Sequence, residues 1–263
     1  MTLGMSANVG HIECPKCGVV SEFECWPIVP NVFVPEVAEA AREGLLFEYE
    51  CEICGYRDLA SYRCLYHDIP HAKLVLFEPD PEKRVAAEAD LARMIAGAGA
   101  GAADEDAGVV AGAAAEASVV VLVDESVRED VDVEERKLAD IPKHVGRLVL
   151  HPDRFSEKAR IFEAELDDCA IELLKLQVKE RLVGEDPLFE TALIYFSRFD
   201  GSFITFLVVG YEDYSVAVPM AAYEQLLLDF MMRPPIVPGF VVDESWATGY
   251  LLDGMLGEVE ERF

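Results

Sequence analysis

Two short cysteine motifs constrain this chain more than anything else in it: Cys14-Pro15-Lys16-Cys17-Gly18 and Cys51-Glu52-Ile53-Cys54-Gly55. A CxxC spacing places two thiolates on one tight turn, and a following glycine can take the backbone shape that points amide hydrogens at the sulfurs. Two such knuckles supply four soft ligands, which is what a tetrahedral structural Zn2+ site requires. One CxxC would be ambiguous, whereas a matched pair is a specific signal. Cys14, Cys17, Cys51 and Cys54 are therefore expected to hold one structural zinc ion. The 33 residues between Cys17 and Cys51 exceed the roughly 15–20 of the simplest pattern. The segment Pro35–Glu43 accounts for the excess. It reads as a short helix inserted between two hairpin-like arms, with proline near its start, acids in its first turn and Gly44 past its end.

The knuckles belong to residues 10–79, a zinc-ribbon-like β module in which Val19–Ile28, Leu45–Glu50, Tyr56–Tyr66 and Lys73–Phe77 read as extended. A module of about 70 residues has a thin core, and metal binding, on the order of 10–16 kcal/mol in zinc-finger peptides, would decide whether it folds. Residues 80–117 read as a helix, Pro81–Ile95, running into an Ala/Gly-rich stretch, Gly97–Ala117, whose interleaved glycines oppose a helix. That stretch is expected to be a flexible linker. Residues 118–263 read as an α+β domain. Ser118–Asp124 and Arg147–Leu150 are short strands, and Ser156–Leu166 and Asp168–Leu182 are helices. An antiparallel meander follows over Glu190–Phe196, Ser202–Val209 and Ser215–Val218, turned at Asp200-Gly201 where positive φ is required. Met220–Met232 and Glu244–Leu252 are the last helices. The fold class expected for the whole chain is α+β.

The first half resembles the CpXC family, named for its two cysteine pairs. The resemblance runs from Cys14-Pro15-Lys16-Cys17 through Glu43-Gly44-Leu45-Leu46-Phe47 and Cys51-Glu52-Ile53-Cys54-Gly55 to Leu65-Tyr66-His67-Asp68. The second half, with Ile161–Asp168 leading into Ile171–Lys175, resembles the region that accompanies this module in longer members. The family is prokaryotic and carries no established activity, so the resemblance implies a zinc-binding module and no reaction. One departure is that Glu52-Ile53 replaces the Pro-Lys of the first pair, which leaves the ligands unaffected.

Charge excludes more than it assigns. With 50 acidic against 22 basic residues the formal net charge is −28, a field that repels phosphate backbones and anionic membranes. Within the module, Lys16, Arg42, Arg57, Arg63 and Lys73 are outnumbered by acids such as Glu22, Glu24, Glu36, Glu39, Glu48 and Glu50, and no basic stripe with interleaved aromatics tracks a backbone. Nucleic-acid binding is disfavoured. The start has no basic run ahead of a long apolar one, and no stretch reaches the roughly eighteen apolar residues of a membrane span. A cytoplasmic protein with reduced thiols is expected.

Other residues invite functional readings that a plainer one outweighs. Cys25 and Cys64 could face each other as a redox pair, but thiols in aromatic-rich strands are more often buried small hydrophobes. Cys169 reads as a helix residue without a role. In His67-Asp68 the aspartate could orient the imidazole, yet no nucleophile or pocket accompanies them. His11 lies near Cys14 with four cysteines already filling the shell, and His71 and His151 have no evident partner. Asp167-Asp168 stands at a helix start, where paired aspartates cap. Trp26 and Trp246 read as core. No P-loop, dinucleotide fingerprint, HExxH or GxSxG occurs. The expectation is a non-catalytic structural or protein-interaction role with a protein partner. Thiol redox chemistry at the CxxC pairs is the enzymatic alternative, and an exposed hairpin edge in the second domain would be a place for two chains to pair.

Overall fold

The computed structural model describes residues 7–98, 144–210, 214–232 and 239–260. The expected linker from Gly99 onward and the expected strand Ser118–Asp124 lie outside these residues. Among the described residues the chain is a mixed α+β fold of small sheets and helices.

Each cysteine knuckle is the turn of a two-stranded hairpin. Strands β1 (Asn8–Glu13) and β2 (Val20–Cys25) flank the first, and β4 (Glu48–Glu50) and β5 (Arg57–Leu59) flank the second. The segment 8–13 was not expected to be extended; its pairing partner across the knuckle makes it so. Between the hairpins lie β3 (Ile28–Pro30) and helix α1 (Pro35–Glu43). Helix α1 has the bounds expected, with proline in its first turn and Gly44 at φ 85° closing it by an N–H bond to the Ala40 carbonyl. A 3-10 turn, Leu45–Phe47, precedes β4, and the expected strand Tyr56–Tyr66 divides into β5 and β6 (Cys64–Asp68).

Strands β3, β6, β7 (Lys73–Phe77) and β8 (Val145–Val149) form a four-stranded sheet in that order. The pairing is parallel, antiparallel, then parallel. Side chains alternate across a strand, and here both faces are apolar. Cys64, Tyr66, Val75, Phe77 and Val149 join one core, while Leu65, Leu74, Leu76 and Leu148 join another beneath helix α2 (Arg84–Ala98). A sheet covered on both sides gives continuous apolar runs such as Leu74–Phe77.

The expected boundary between an N-terminal module and a C-terminal domain is therefore crossed by hydrogen bonds. Strand β8, which follows the Ala/Gly-rich stretch, pairs with β7, which precedes it. The larger core is continuous from Val29 to Tyr223 and includes Phe155 and Phe162 of helix α3 (Pro152–Glu163) and Ile171 and Leu174 of helix α4 (Asp168–Glu185). Arg160 donates to the Arg42 carbonyl at 2.6 Å and Arg42 pairs with Glu163, joining α1 to α3. The meander β9 (Leu193–Phe199), β10 (Phe203–Val209) and β11 (Tyr214–Pro219) packs on the same core through Phe196, Phe206 and Val208. Its hairpin turns at Gly201, φ 91°, as the sequence requires. Helices α5 (Met220–Met232) and α6 (Glu244–Glu260) complete the described fold.

Gly146 marks the closest approach of α2 to the sheet. A Cβ built there would sit 2.7 Å from Ile95 Cδ1 and 2.9 Å from Leu91 Cγ. Leu91 is fully buried and cannot move aside. Gly146→Ala is expected to destabilise by about 1–3 kcal/mol, the cost of overpacking, read as a lower urea midpoint at unchanged slope.

Candidate metal centre

The two knuckles are built alike. In the first, Cys14 N–H donates to the Val19 carbonyl at 2.9 Å and Gly18 N–H to the Cys14 carbonyl at 2.8 Å. In the second, Cys51 N–H donates to Tyr56 and Gly55 N–H to Cys51, both at 2.8 Å. Gly18 and Gly55 adopt φ 70° and 64°, a left-handed conformation that explains the glycine after each pair.

The fold brings all four sulfurs within 4.8 Å of one another. Cys14 lies 3.6 Å from Cys54 and Cys17 lies 3.7 Å from Cys51, so each contact crosses from one knuckle to the other. Cys14 and Cys51 are buried, Cys54 is half-buried and Cys17 is exposed. Tyr49, Ala60, Ile12 and Phe23 pack around the inner pair.

Proton affinities in the cluster diverge. Burial would raise the Cys51 thiol, but the amides of Cys54 and Ile53, the Tyr49 hydroxyl and the Cys14 thiol outweigh it and bring it down to about 6. At Cys17 the Val19 amide pulls downward, yet desolvation and the other three thiols push it up to about 12. At Cys54 the Tyr56 amide and the Cys17 thiol pull downward, but desolvation and the thiols of Cys14 and Cys51 raise it. One thiol is thus lowered while Cys17 and Cys54 are raised. A cation at the centre of the four would favour the thiolate form of each, since metal binding and thiol deprotonation are linked.

The other sequence candidates do not join this cluster. Burial pushes Cys25 and Cys64 upward, away from the thiolate that a redox step requires. Cys169 is buried, pushed up to about 12 by desolvation and then by Asp168, with its sulfur 3.6 Å from Arg147 Nη2. His67 and Asp68 point to opposite faces of β6 and do not form a couple. Asp68 instead accepts from Asn31 Nδ2 at 2.9 Å and lies 2.8 Å from His71 Nδ1, giving His71 the partner the sequence did not reveal. The His67 ring faces His144, 6.0 Å between centroids, and burial lowers its proton affinity. His151 caps α3, accepting from the Asp153 amide at 3.3 Å, and His11 lies exposed on β1. Trp26 packs at the edge of the main core, and Trp246 stacks on Tyr250.

Asp167-Asp168 corrects the cap expectation in one of its two residues. Asp167 does cap α4, accepting from the Ala170 amide at 2.9 Å. Asp168 is buried and takes two bonds from Arg147, at 2.6 and 2.8 Å, and one from Lys158 at 3.0 Å. Its oxygens are filled by cations, so the neighbouring Asp167, Asp168 and Cys169 do not amount to a metal site. From Asp168 the ion pairs continue through Lys158, Glu172, Lys175 and Glu157 to Arg154, alternating in sign.

No helix among the described residues is long and apolar enough to cross a membrane. No curated protein and no solved structure matches the chain. A family model, described as CpXC protein, matches residues 12–175, a span that opens at the first knuckle and ends at Lys175 of the buried ion-pair chain. Covering more than half of the sequence, it shows that the chain belongs to the CpXC family.

Proposed function

We propose that Cys14, Cys17, Cys51 and Cys54 bind one structural Zn2+ and that the protein acts as a non-catalytic structural or protein-interaction module. The observation that carries the reading is the sulfur geometry. A tetrahedron with zinc–sulfur bonds of about 2.3 Å places its sulfurs about 3.8 Å apart, and the cross-knuckle separations of 3.6 and 3.7 Å fit that spacing. Four thiolates complete the shell and leave no open position for water or substrate, so the metal would cross-link the two hairpins and perform no chemistry. A reducing compartment such as the cytoplasm suits thiols kept as ligands.

Elemental analysis of protein purified without added metal tests the reading. One zinc per chain, released together with four titratable thiols, is the expected result. Protein that is folded and metal-free, or that holds iron in place of zinc, would sink it.

A further inference from the structure

Among the described residues, the buried carboxylates are met by lysine or arginine with one exception. Glu78, Glu157, Asp168 and Glu172 each face at least one such cation. Asp68, on β6 and only 1% exposed, faces none. Its Oδ1 accepts from Asn31 Nδ2 at 2.9 Å, and Asn31 is itself fixed by the Ile69 amide at 3.2 Å. Its Oδ2 lies 2.8 Å from His71 Nδ1. An ionised carboxylate can only accept, so the imidazole proton sits on Nδ1 and leaves the Nε2 lone pair on the far side of the ring. Nε2 lies 3.5 Å from Glu165 Oε1, in the turn between α3 and α4. Glu165 likewise has no lysine or arginine partner among the described residues.

A lone pair and a carboxylate oxygen are both acceptors, and facing each other they repel unless a cation lies between them. The spacing suits a metal ion. A tetrahedral centre with bonds of about 2.1 Å to nitrogen and oxygen holds those donors about 3.4 Å apart. Asp68 stands where metal-binding histidines carry their orienting carboxylate, on the ring nitrogen remote from the ion. The backbone is also unusual beside this contact. Ala72 at φ 53° and Glu165 at φ 55° are the non-glycine residues with left-handed backbone among those described. One follows His71 in the chain, and the other carries the second donor. Such conformations persist where the surrounding structure imposes them.

We propose that His71 Nε2 and the Glu165 carboxylate hold a divalent transition-metal ion, with Asp68 fixing the imidazole from behind. Imidazole with carboxylate suits an ion such as Zn2+ or Ni2+, and a chain of net −28 concentrates cations at its surface. Two protein donors leave the remaining positions to water, so this site is open to a further ligand, unlike a four-thiolate shell. It joins the β6–β7 turn to the α3–α4 turn, and thus ties together segments on either side of the Ala/Gly-rich stretch. The site shares no residue with the four cysteines and does not depend on how they are read.

Titration of the full-length protein with Ni2+ at neutral pH, followed in the histidine ring signals by NMR, tests this. One equivalent of zinc is supplied beforehand to occupy the thiols. Paramagnetic Ni2+ broadens whichever imidazole it binds, and the other four histidines serve as internal controls. His71 should broaden at concentrations roughly tenfold or more below those needed for His11, His67, His144 and His151. Glu165→Gln, at an exposed position, should fold normally and weaken binding at His71 roughly tenfold or more. Asp68→Asn keeps both donors and should weaken it about 10–100-fold, the usual effect of removing an orienting partner. Should that buried change disturb folding, seen by circular dichroism, the parent and Glu165→Gln still decide. Binding should also weaken on acidification, as protons compete for Nε2. His71 broadening no earlier than the other histidines, or unchanged in Glu165→Gln, would overturn the proposal. So would a His71 pH titration that Ni2+ leaves unaltered, since the position between the two groups would then take a proton only.

Discussion

Serine at position 51 is expected to release the metal and to unfold the two knuckle hairpins while the rest of the chain stays folded. In the proposed site Cys51 would be the buried ligand whose thiol is lowered, with the Cys54 and Ile53 amides directed at it. A serine hydroxyl there stays protonated and binds zinc poorly. The loss in metal affinity should exceed the roughly 10–100-fold that outer-shell changes produce. Each hairpin has only two strands and would be marginal alone, so the proposed metal cross-link would be what keeps them ordered. The four-stranded sheet has its own cores on both faces and should survive. Hydrogen exchange is the measurement: protection should vanish over residues 8–25 and 48–59 and persist in β6, β7 and α3. Cys17→Ser should do less, because Cys17 is exposed and water can take its place. Equal effects at the two positions, or global unfolding, would contradict this division.

What could be read from the sequence was whatever is local in the chain. The knuckles need only a spacing of three and a glycine, α1 only Pro35 and Gly44, and the meander only Asp200-Gly201 between apolar strands. Long-range pairing was hidden. Nothing in Val145–Val149 says that it lies beside Lys73–Phe77, because a parallel partner is specified by the whole sheet and not by either strand. Two modules were expected on either side of the Ala/Gly-rich stretch for that reason, although the structure gives the flanking segments a sheet and a core in common. The buried charges were hidden by the same logic. On a helix, Glu157, Lys158, Glu172 and Lys175 read as a solvated face, and only the packing of α3 on α4 turns them toward each other. Asp168 read as a cap beside Asp167 until Arg147, which follows the Ala/Gly-rich stretch, was placed opposite it.

Lys158→Met is expected to cost about 3–5 kcal/mol, the penalty for breaking a buried ion pair by removing one partner. Lys158 sits within an alternating chain that runs Arg147, Asp168, Lys158, Glu172, Lys175, Glu157, Arg154 and ties β8 to α3, α4 and the β9 edge. Its Nζ donates to Asp168 Oδ2 at 3.0 Å and to Glu172 Oε1 at 3.1 Å. Methionine fills the volume of the stem, so packing is largely kept and the loss is electrostatic: two buried carboxylates each lose a cation. The pH dependence fixes the cause. Burial alone would raise the carboxyls of Asp168 and Glu157. The charges of Lys158 and Arg147 hold Asp168 far below its ordinary 3.8, and those of Lys175, Arg154 and Lys158 hold Glu157 at about 2 against 4.5. Groups depressed on folding stabilise the protein above their unfolded values and lose that contribution as pH falls through the folded ones. The parent should therefore weaken as pH falls from about 4.5 towards 2 and below. In Lys158→Met the carboxyls accept protons at higher pH, so the deficit should be largest near neutrality and shrink on acidification. Urea midpoints of both proteins from pH 7 down to about 2 measure this; a deficit that stays constant across that whole window would assign the loss to packing and not to charge.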